Sequence, residues 1–380
     1  MYLKEVEIKK FRNINEAVFI FSPGITLISG DNAQGKTNLI EALYCLLKGR
    51  SFRTSFEREC QPFHTDPHGT DPITLISASL MKDDVSHAVK YVLAGDEKRI
   101  YYDEKVISRL GDYWIYHPVV IFTPDDLSII KGSPAERRRF LDMLGSQVWK
   151  PYINNLQRCN SVLKYRNSIL RGIWEGKNRE PDLDPWDTEL SLVGSELYVR
   201  RWELVSNLVK HAEAIIQNLF PEKQNISLIY DNFLDTKEPL NLDDARQTYL
   251  DILTARREVD IDRGVTTTGP QRDDLNILLN DMDSRAFASQ GQQRSLMIAL
   301  RLAESALYTD AFAEPPIMLL DDILSELDTY HREHLLELFL SHTQVFLTIS
   351  SPDLLTFKSK DVIQRVGVHN GKFDIKNELY

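Results

Sequence analysis

The chain has 380 residues, of which 42% are hydrophobic and 27% charged, so globular structure with a substantial core is expected. Its three cysteines form no C-x-x-C pair, which argues against a zinc ribbon and fits a reducing, cytoplasmic compartment. The charged N-terminus is unlike a signal peptide, no apolar run predicts a membrane span, and the net charge of −11 argues against nucleic acid wrapped over the whole surface.

The first motif follows a short apolar strand at residues 25–28. Residues 30–37 read G-D-N-A-Q-G-K-T, a complete G-x-x-x-x-G-K-T loop, and a helix is predicted from about Lys36 to Leu47. The glycines let backbone N–H groups face phosphate oxygens, Lys36 can reach the β- and γ-phosphates of a nucleotide, and Thr37 can ligate Mg²⁺. An ordinary glycine turn is the alternative, and the strand–loop–helix context argues against it.

The pattern changes near residue 130. Residues 133–136 read S-P-A-E, a capping box with proline at the first helical position, and helical patterning continues to about Trp174. After a polar break at residues 176–185, a second long helix is predicted to end before Pro221. Together the two helices predict a short antiparallel arm rather than a long coiled coil.

This helical segment is basic. Between Lys131 and Glu180, eleven basic residues stand against four acidic ones, a net charge of +7. The segment is either a solvated helical face or a surface that contacts phosphates, and some of its arginines could instead brace the arm. Basic and aromatic residues are not interleaved, so contact with a nucleic-acid backbone, with little sequence preference, is the form of binding to expect. The candidate contacts are Arg137, Arg138, Arg139 and Lys164.

Another motif, which carries two carboxylates, lies in the C-terminal part. Residues 317–322 read I-M-L-L-D-D, an apolar strand that ends in two carboxylates, and another buried strand is predicted at residues 345–349. In a phosphoryl-transfer site Asp321 would join the Mg²⁺ shell, and Asp322 would position or deprotonate the attacking water. Alone, such a string is more often a strand that enters a turn. Together with the phosphate-binding loop, it predicts the Walker B half of one ATP site.

Residues 289–295 read S-Q-G-Q-Q-R-S before a strong helix, and Ser289 and Gly291 match the signature of ABC ATPases. A serine hydroxyl and backbone N–H groups at a helix N-terminus can bind an anion, although a simple N-cap is the usual explanation of such a string. Residues 325–328, S-E-L-D, follow the Walker B strand at the D-loop position, which favours the ABC interpretation.

Taken in order, the motifs resemble RecF, a family of ABC-type ATPases related to SMC heads, over essentially the whole chain. The segments that carry the resemblance are 11–13 (F-R-N), 124–142, 269–274 (G-P-Q-R-D-D) and 320–332. It implies an α/β, ABC-ATPase-like P-loop head with an inserted helical lobe and a short antiparallel coiled-coil arm. The expected ranges are 1–130 and 265–380 for the head and 131–264 for the lobe and arm.

The resemblance also implies a function: a weak, DNA-stimulated ATPase that acts as a switch. Two copies would pair through ATP and Mg²⁺, bind double-stranded and gapped DNA, and help RecO and RecR to load RecA, with no membrane partner. The catalytic residues would be Lys36, Asp321 and Asp322, and the Mg²⁺ ligands would be Thr37 and Asp321. ATP contacts would come from Gly30, Asn32, Gly35, Lys36, Thr37, Asn38, Arg12, Asn13, Gln292 and Asp328, and from Ser289 and Gly291 of the second copy.

Several positions depart from related patterns. The family often has histidine where Gln271 stands, and transporter ATPases have glutamate at the position of Asp322, so slow turnover is a hypothesis here. A Q-loop glutamine has no clear counterpart near residues 122–125, and T-I-S at 348–350 replaces the switch histidine. A transport motor, a cohesin-like clamp and a nucleotide-binding scaffold are the alternatives. The missing switches argue against the first, and the chain length argues against the second.

Overall fold

The computed structural model describes residues 1–62, 72–114, 116–219, 224–324, 329–340, 342–350 and 363–378. The chain divides into two compact units, one formed by Met1–Asp126 with Glu304–Tyr380 and the other by Leu127–Ala303. The second boundary therefore lies nearly forty residues beyond the expected position at 265. The cause is local pairing, because the strand Asp274–Leu279 pairs with Ile226–Asp231 inside the second unit.

Runs of strands and runs of helices follow one another along this mixed α/β chain. The strands are β1 (Tyr2–Phe11), β2 (Ile14–Ile20), β3 (Gly24–Ser29), β4 (Ile73–Lys82), β5 (Val85–Ala94), β6 (Glu97–Tyr102), β7 (Lys105–Val106), β8 (Val119–Phe122), β9 (Ile226–Asp231), β10 (Asp274–Leu279), β11 (Met282–Asp283), β12 (Ile317–Leu320), β13 (Gln344–Ile349), β14 (Ile363–His369) and β15 (Lys372–Glu378). The helices are α1 (Lys36–Lys48), α2 (Leu110–Trp114), α3 (Ser128–Lys131), α4 (Pro134–Val148), α5 (Lys150–Trp174), α6 (Asp184–Leu219), α7 (Leu242–Ala255), α8 (Arg257–Arg263), α9 (Ser284–Phe287), α10 (Gln290–Phe312) and α11 (Thr329–Phe339).

The first unit contains two six-stranded sheets. One is antiparallel, in the order β2-β1-β4-β5-β6-β7. The other has the order β15-β14-β3-β13-β12-β8, and all of its pairings are parallel except that of β14 with the edge strand β15. Every residue of β8, β12 and β13 is buried, as expected for parallel strands inside an α/β unit. The carboxyl ends of β3, β12 and β13 meet at one edge, which brings their following loops together.

The second unit combines the long helices with the three-stranded sheet β11-β10-β9. The predicted capping box is confirmed, since the backbone N–H of Ser133 donates to the Glu136 carboxylate at 2.7 Å. Helical patterning from 133 to 174 is broken once, at Trp149, whose backbone is extended (φ −125°, ψ 114°) between α4 and α5. Helix α6 runs for 36 residues beside α5 and α7. Within the described ranges, we find no helix with the length and apolar character needed to cross a membrane.

Candidate functional site

The glycine-rich loop joins β3 to α1, and two of its glycines stand where a side chain would collide. A Cβ atom on Gly30 would lie 2.4 Å from the carbonyl oxygen of Val368, and one on Gly35 would lie 2.8 Å from the amide nitrogen of Asn13. Gly35 also has φ 116°, a backbone region that favours glycine. The close approach of the Val368 backbone therefore requires glycine at position 30, and the positive φ favours glycine at position 35.

Lys36 and Thr37 are both engaged by protein atoms. The Nζ atom of Lys36 donates to the carbonyl oxygens of Gly30 and Asp31 at 2.5 and 2.9 Å, so the ammonium group lies inside the loop that it is predicted to serve. The hydroxyl of Thr37 donates to Oδ1 of Asp321 at 3.0 Å. Anionic phosphates are stronger partners for an ammonium group than carbonyls, so these contacts can exchange when phosphate enters.

The end of β12 supplies two carboxylates to the same place. Oδ1 of Asp321 accepts hydrogen bonds from the hydroxyls of Thr37 and Thr348, the latter at 2.9 Å. Burial raises the pKa of the Asp321 carboxyl, and the hydrogen bonds from Thr348 and Thr37 act in the opposite direction. Asp322 follows with φ 51°, and its backbone N–H donates to Thr348 Oγ1 at 2.8 Å. The oxygen ligands of Thr37 and Asp321 are of the kind that Mg²⁺ prefers, so these residues fit the ion.

These groups border one cleft with a volume of ≈ 320 Å³. It brings together eight predicted site residues: Arg12, Asn32, Gly35, Lys36, Thr37, Asn38, Asp321 and Asp322. Gly30 and Asn13 contact this lining without belonging to it. The Gly30 carbonyl accepts from Lys36, and Asn13 donates to the Gln34 carbonyl and accepts from the Asn38 amide at 2.7 Å. Three further lining residues, Ala33, Arg53 and Thr348, were not among the predicted site residues.

Two arginines share one buried carboxylate at the border of the cleft. Arg12 binds Glu41 through two hydrogen bonds of 3.0 and 2.7 Å, and Nη1 of Arg53 lies 3.2 Å from the same carboxylate. Arg53 also donates to the Asn38 side chain at 3.0 Å. Sequence reasoning missed Arg53 because its segment carries no periodic pattern. The available signal was Glu41, a carboxylate in the middle of an apolar helix, which requires a cationic partner when buried.

The signature segment lies in the second unit, at the start of α10. The backbone N–H of Ser289 donates to the Gln292 side chain at 2.8 Å, and the Gln292 N–H lies 3.3 Å from the Ser289 hydroxyl. The two residues thus form the reciprocal cap that the sequence offered as an alternative. Gly291 is exposed, and a Cβ atom there would meet nothing within 4 Å. Asp328, which was also expected to contact ATP, lies outside the described residues.

The four candidate DNA contacts separate into two kinds. Arg137 is buried and binds both oxygens of Asp274, at 2.7 and 2.8 Å, and the half-buried Arg138 donates to the carbonyl oxygen of Asp273 at 2.6 Å. Arg139 and Lys164 are exposed. For Arg137 the structure therefore favours bracing over DNA contact, because a buried guanidinium engaged by a carboxylate cannot reach a phosphate.

The string at residues 269–274 forms a buried polar centre. Asp273 accepts hydrogen bonds from Arg201 and Tyr230, both at 2.5 Å, and from the Phe233 N–H at 2.9 Å. Arg201 also reaches Asp142 at 2.8 Å, which ties α4 to α6. Gln271 donates to the Thr268 carbonyl at 3.0 Å, while its buried Oε1 accepts no hydrogen bond from the described residues. Through Asp273, this string thus links α6 to β9 within the second unit.

Comparisons with known proteins agree with this arrangement. A family model described as an AAA domain matches residues 5–173. The chain is 35% identical over 353 residues to the DNA replication and repair protein RecF of Halalkalibacterium halodurans, covering 93% of this chain and 94% of the relative. It is 34% identical over 374 residues to RecF of Bacillus cytotoxicus, covering 98% of each chain.

Solved structures show the same likeness. The recombination mediator protein RecF-ATP in the RecFOR pathway superimposes with a TM-score of 0.87 at 29% identity, covering 99% of each chain. Its RecF-ATPrS form gives a TM-score of 0.87 at 30% identity, covering 98% of each. An SmcHead bound to the C-winged helix domain of ScpA gives a TM-score of 0.59 at 17% identity, covering 100% of this chain and 98% of that one, and this likeness concerns the fold alone. The predicted α/β, ABC-ATPase-like architecture is confirmed.

Proposed function

The chain belongs to the RecF family of DNA replication and repair proteins, and we propose that it is an ATP-dependent switch on DNA. Two copies pair around bound Mg²⁺–ATP, the pair holds double-stranded or gapped DNA, and slow, DNA-stimulated hydrolysis separates them. In this scheme the pair helps RecO and RecR to load RecA onto gapped DNA. The observation that carries the proposal is the convergence of both halves of the ATP site, with Thr37 and Asp321 joined at 3.0 Å.

Each residue of the cleft has a part in this proposal. Lys36 exchanges the carbonyls of Gly30 and Asp31 for the β- and γ-phosphates, helped by the positive N-terminal end of α1. Thr37 and Asp321 ligate Mg²⁺, which, when bound, neutralises charge on the phosphate oxygens during transfer. Asp322 orients the attacking water. Arg12 and Arg53 add positive charge to the same cleft.

Pairing depends on the signature segment of the other copy. Gly291 is open, so another chain's nucleotide can approach the N-terminal end of α10 closely, and the Ser289 hydroxyl can exchange its cap for a phosphate oxygen. The same segment on both copies would make a two-fold symmetric pair that encloses two nucleotides. Gln292 and Asp328 complete the expected contacts.

Sedimentation with an uncleavable ATP analogue and Mg²⁺ tests the pairing. We expect the wild-type chain to double its mass with the analogue, and Ser289→Arg to remain single because the arginine side chain fills the phosphate approach. Thr254→Arg is the matched control, since Thr254 is also an exposed residue of the second unit, and this variant should pair normally. A wild-type chain that stays single at saturating analogue, with gapped duplex present, contradicts the proposal.

Hydrolysis is tested separately from pairing, because a nucleotide-binding scaffold would pair without it. Asp322→Asn keeps the shape of the side chain and removes its charge, so a single-turnover assay should show at least a roughly tenfold slower rate. Pairing with the uncleavable analogue should persist. An unaltered single-turnover rate would favour the scaffold.

A further inference from the structure

Thr348 contacts both Walker B residues through a single hydroxyl group. Its Oγ1 donates to Oδ1 of Asp321 at 2.9 Å and accepts the backbone N–H of Asp322 at 2.8 Å. A hydroxyl has one proton to donate and lone pairs to accept, so both contacts are made together. Thr348 is fully buried, and therefore water does not compete for either contact.

The sheet register explains this placement. Strands β12 and β13 are parallel, with Leu320 opposite Leu347, so Thr348 stands one residue further along, beside the point where β12 ends. At that point the backbone of Asp322 turns into the left-handed region, with φ 51°, which is costly for a residue that has a Cβ atom. The hydrogen bond from its N–H to Thr348 fixes this turn.

We propose that Thr348 is a positioning residue of the ATP site, whose hydroxyl holds the Asp321 side chain and the Asp322 backbone in one fixed arrangement; this rests on the ATPase function proposed above. Thr37 donates to the same oxygen of Asp321, so two hydroxyls orient that carboxylate. If Thr37 served as a ligand of Mg²⁺, Thr348 would be the hydroxyl that still orients the Asp321 carboxylate. At the same time it keeps the following carboxylate aimed at the water that attacks the γ-phosphate.

A merely structural role is the competing explanation, because a buried threonine also fills space. The two roles differ in their dependence on the hydroxyl. Thr348→Val keeps the shape and removes the hydroxyl, whereas Thr348→Ser keeps the hydroxyl and removes a methyl group. Thr26→Val is the matched control, since Thr26 is also fully buried, lies on the adjacent strand β3 and has its hydroxyl 3.5 Å from Gln364 instead of a Walker B residue.

Steady-state ATP hydrolysis as a function of Mg²⁺ concentration tests the proposal, together with binding of a fluorescent ATP analogue in EDTA. We expect Thr348→Val to lower kcat and raise the half-saturating Mg²⁺ concentration, each by about tenfold, the effect of one lost hydrogen bond. Its metal-free nucleotide affinity should stay within about twofold of wild type, because Lys36 and the loop are untouched. Thr348→Ser should recover most of both losses, and Thr26→Val should match wild type.

Three results would overturn the positioning role. These are a Thr348→Val enzyme with wild-type kcat and Mg²⁺ dependence, an equal loss in Thr348→Ser and Thr348→Val, and an equal loss in Thr26→Val. If the valine variant does not fold, Thr348→Ser is compared with Thr348→Ala under the same criteria. A wild-type chain without Mg²⁺-dependent hydrolysis would instead refute the proposed ATPase function, and the positioning role with it.

Discussion

The nucleotide cleft and the second unit (Leu127–Ala303, called the helical unit below) use arginine in opposite ways. Arg12 and Arg53 share the buried Glu41 and still line an open cleft, where their charge can act on a ligand. In the helical unit, Arg166 is fully buried between Asp187 and Asp260, at 2.6 and 2.7 Å, and Arg201 is buried on Asp273. The arginine side chains of the cleft are therefore accessible to a ligand, whereas those of the helical unit neutralise buried carboxylates.

This difference changes the meaning of the basic segment between residues 131 and 180. Its net charge of +7 predicts a phosphate-binding surface only if the side chains are exposed. Arg137 and Arg166 are buried in ion pairs, and Arg158 pairs with Glu189 at the surface. Fewer basic side chains of this segment are thus exposed than the charge count suggests, and Arg139 and Lys164 are among the exposed ones.

The largest expected effect comes from breaking a buried pair. Arg201→Leu leaves the Asp273 carboxylate buried without its cation, so we expect the free energy of unfolding to fall by about 3–5 kcal/mol. Chemical denaturation followed by circular dichroism measures this change. The neighbouring Arg200→Leu is the control, because Arg200 is half exposed in its pair with Glu203, and it should cost about 1 kcal/mol or less.

A double variant tests whether the unpaired charge of Asp273 causes this loss of stability. In the Arg201→Leu background, Asp273→Asn removes the buried charge and should restore part of the lost stability. An Arg201→Leu protein as stable as Arg200→Leu would show that the carboxylate network does not hold the helical unit together.

A smaller effect is expected in the cleft, where the charge of Lys36 is proposed to stabilise the bound nucleotide and the transition state. Lys36→Arg keeps the positive charge but misplaces it relative to the loop, so turnover of ATP should fall by about a hundredfold. Stability should change little, because Lys36 makes its described contacts with carbonyls of its own loop. Steady-state assays and thermal denaturation measure both, with the exposed Lys105→Arg as the control. A Lys36→Arg protein with normal turnover would remove the assigned phosphate role.

In both regions, the sequence could predict the features that depend on local strings. The loop at residues 30–37, the Walker B strand and the capping box at 133–136 are local strings whose geometry follows from near neighbours, and all three are found as expected. Eight predicted residues meet in the cleft. Seven of them follow β3 or β12, whose carboxyl ends lie at one edge of the parallel sheet, and Arg12 follows β1 of the antiparallel sheet.

Contacts between distant segments could not be predicted in this way. Arg53 joins the site through Glu41, Thr348 joins it through the register of β13 with β12, and Arg137 is withdrawn from the surface by Asp274, which is 137 residues away. The boundary expected at residue 265 lies further along because β10 pairs back to β9. A single sequence shows that charges and hydroxyls are present, and only the pairing of remote segments shows which of them reach a ligand.

The smallest expected effects concern the exposed basic residues, and they test the comparison most directly. Arg139→Ala and Lys164→Ala should each weaken DNA binding uniformly across sequences and reduce the slope of log affinity against log salt by about one, because each contact with a phosphate releases counterions. Arg137→Ala should leave that slope unchanged and lower stability instead, since its guanidinium is held by Asp274. Titrations of a gapped duplex at several salt concentrations separate the two behaviours. Arg137→Ala could instead reduce the salt slope as much as Arg139→Ala does. The ion pair with Asp274 would then not keep Arg137 from DNA, and the distinction between buried and exposed arginines of the helical unit would be wrong.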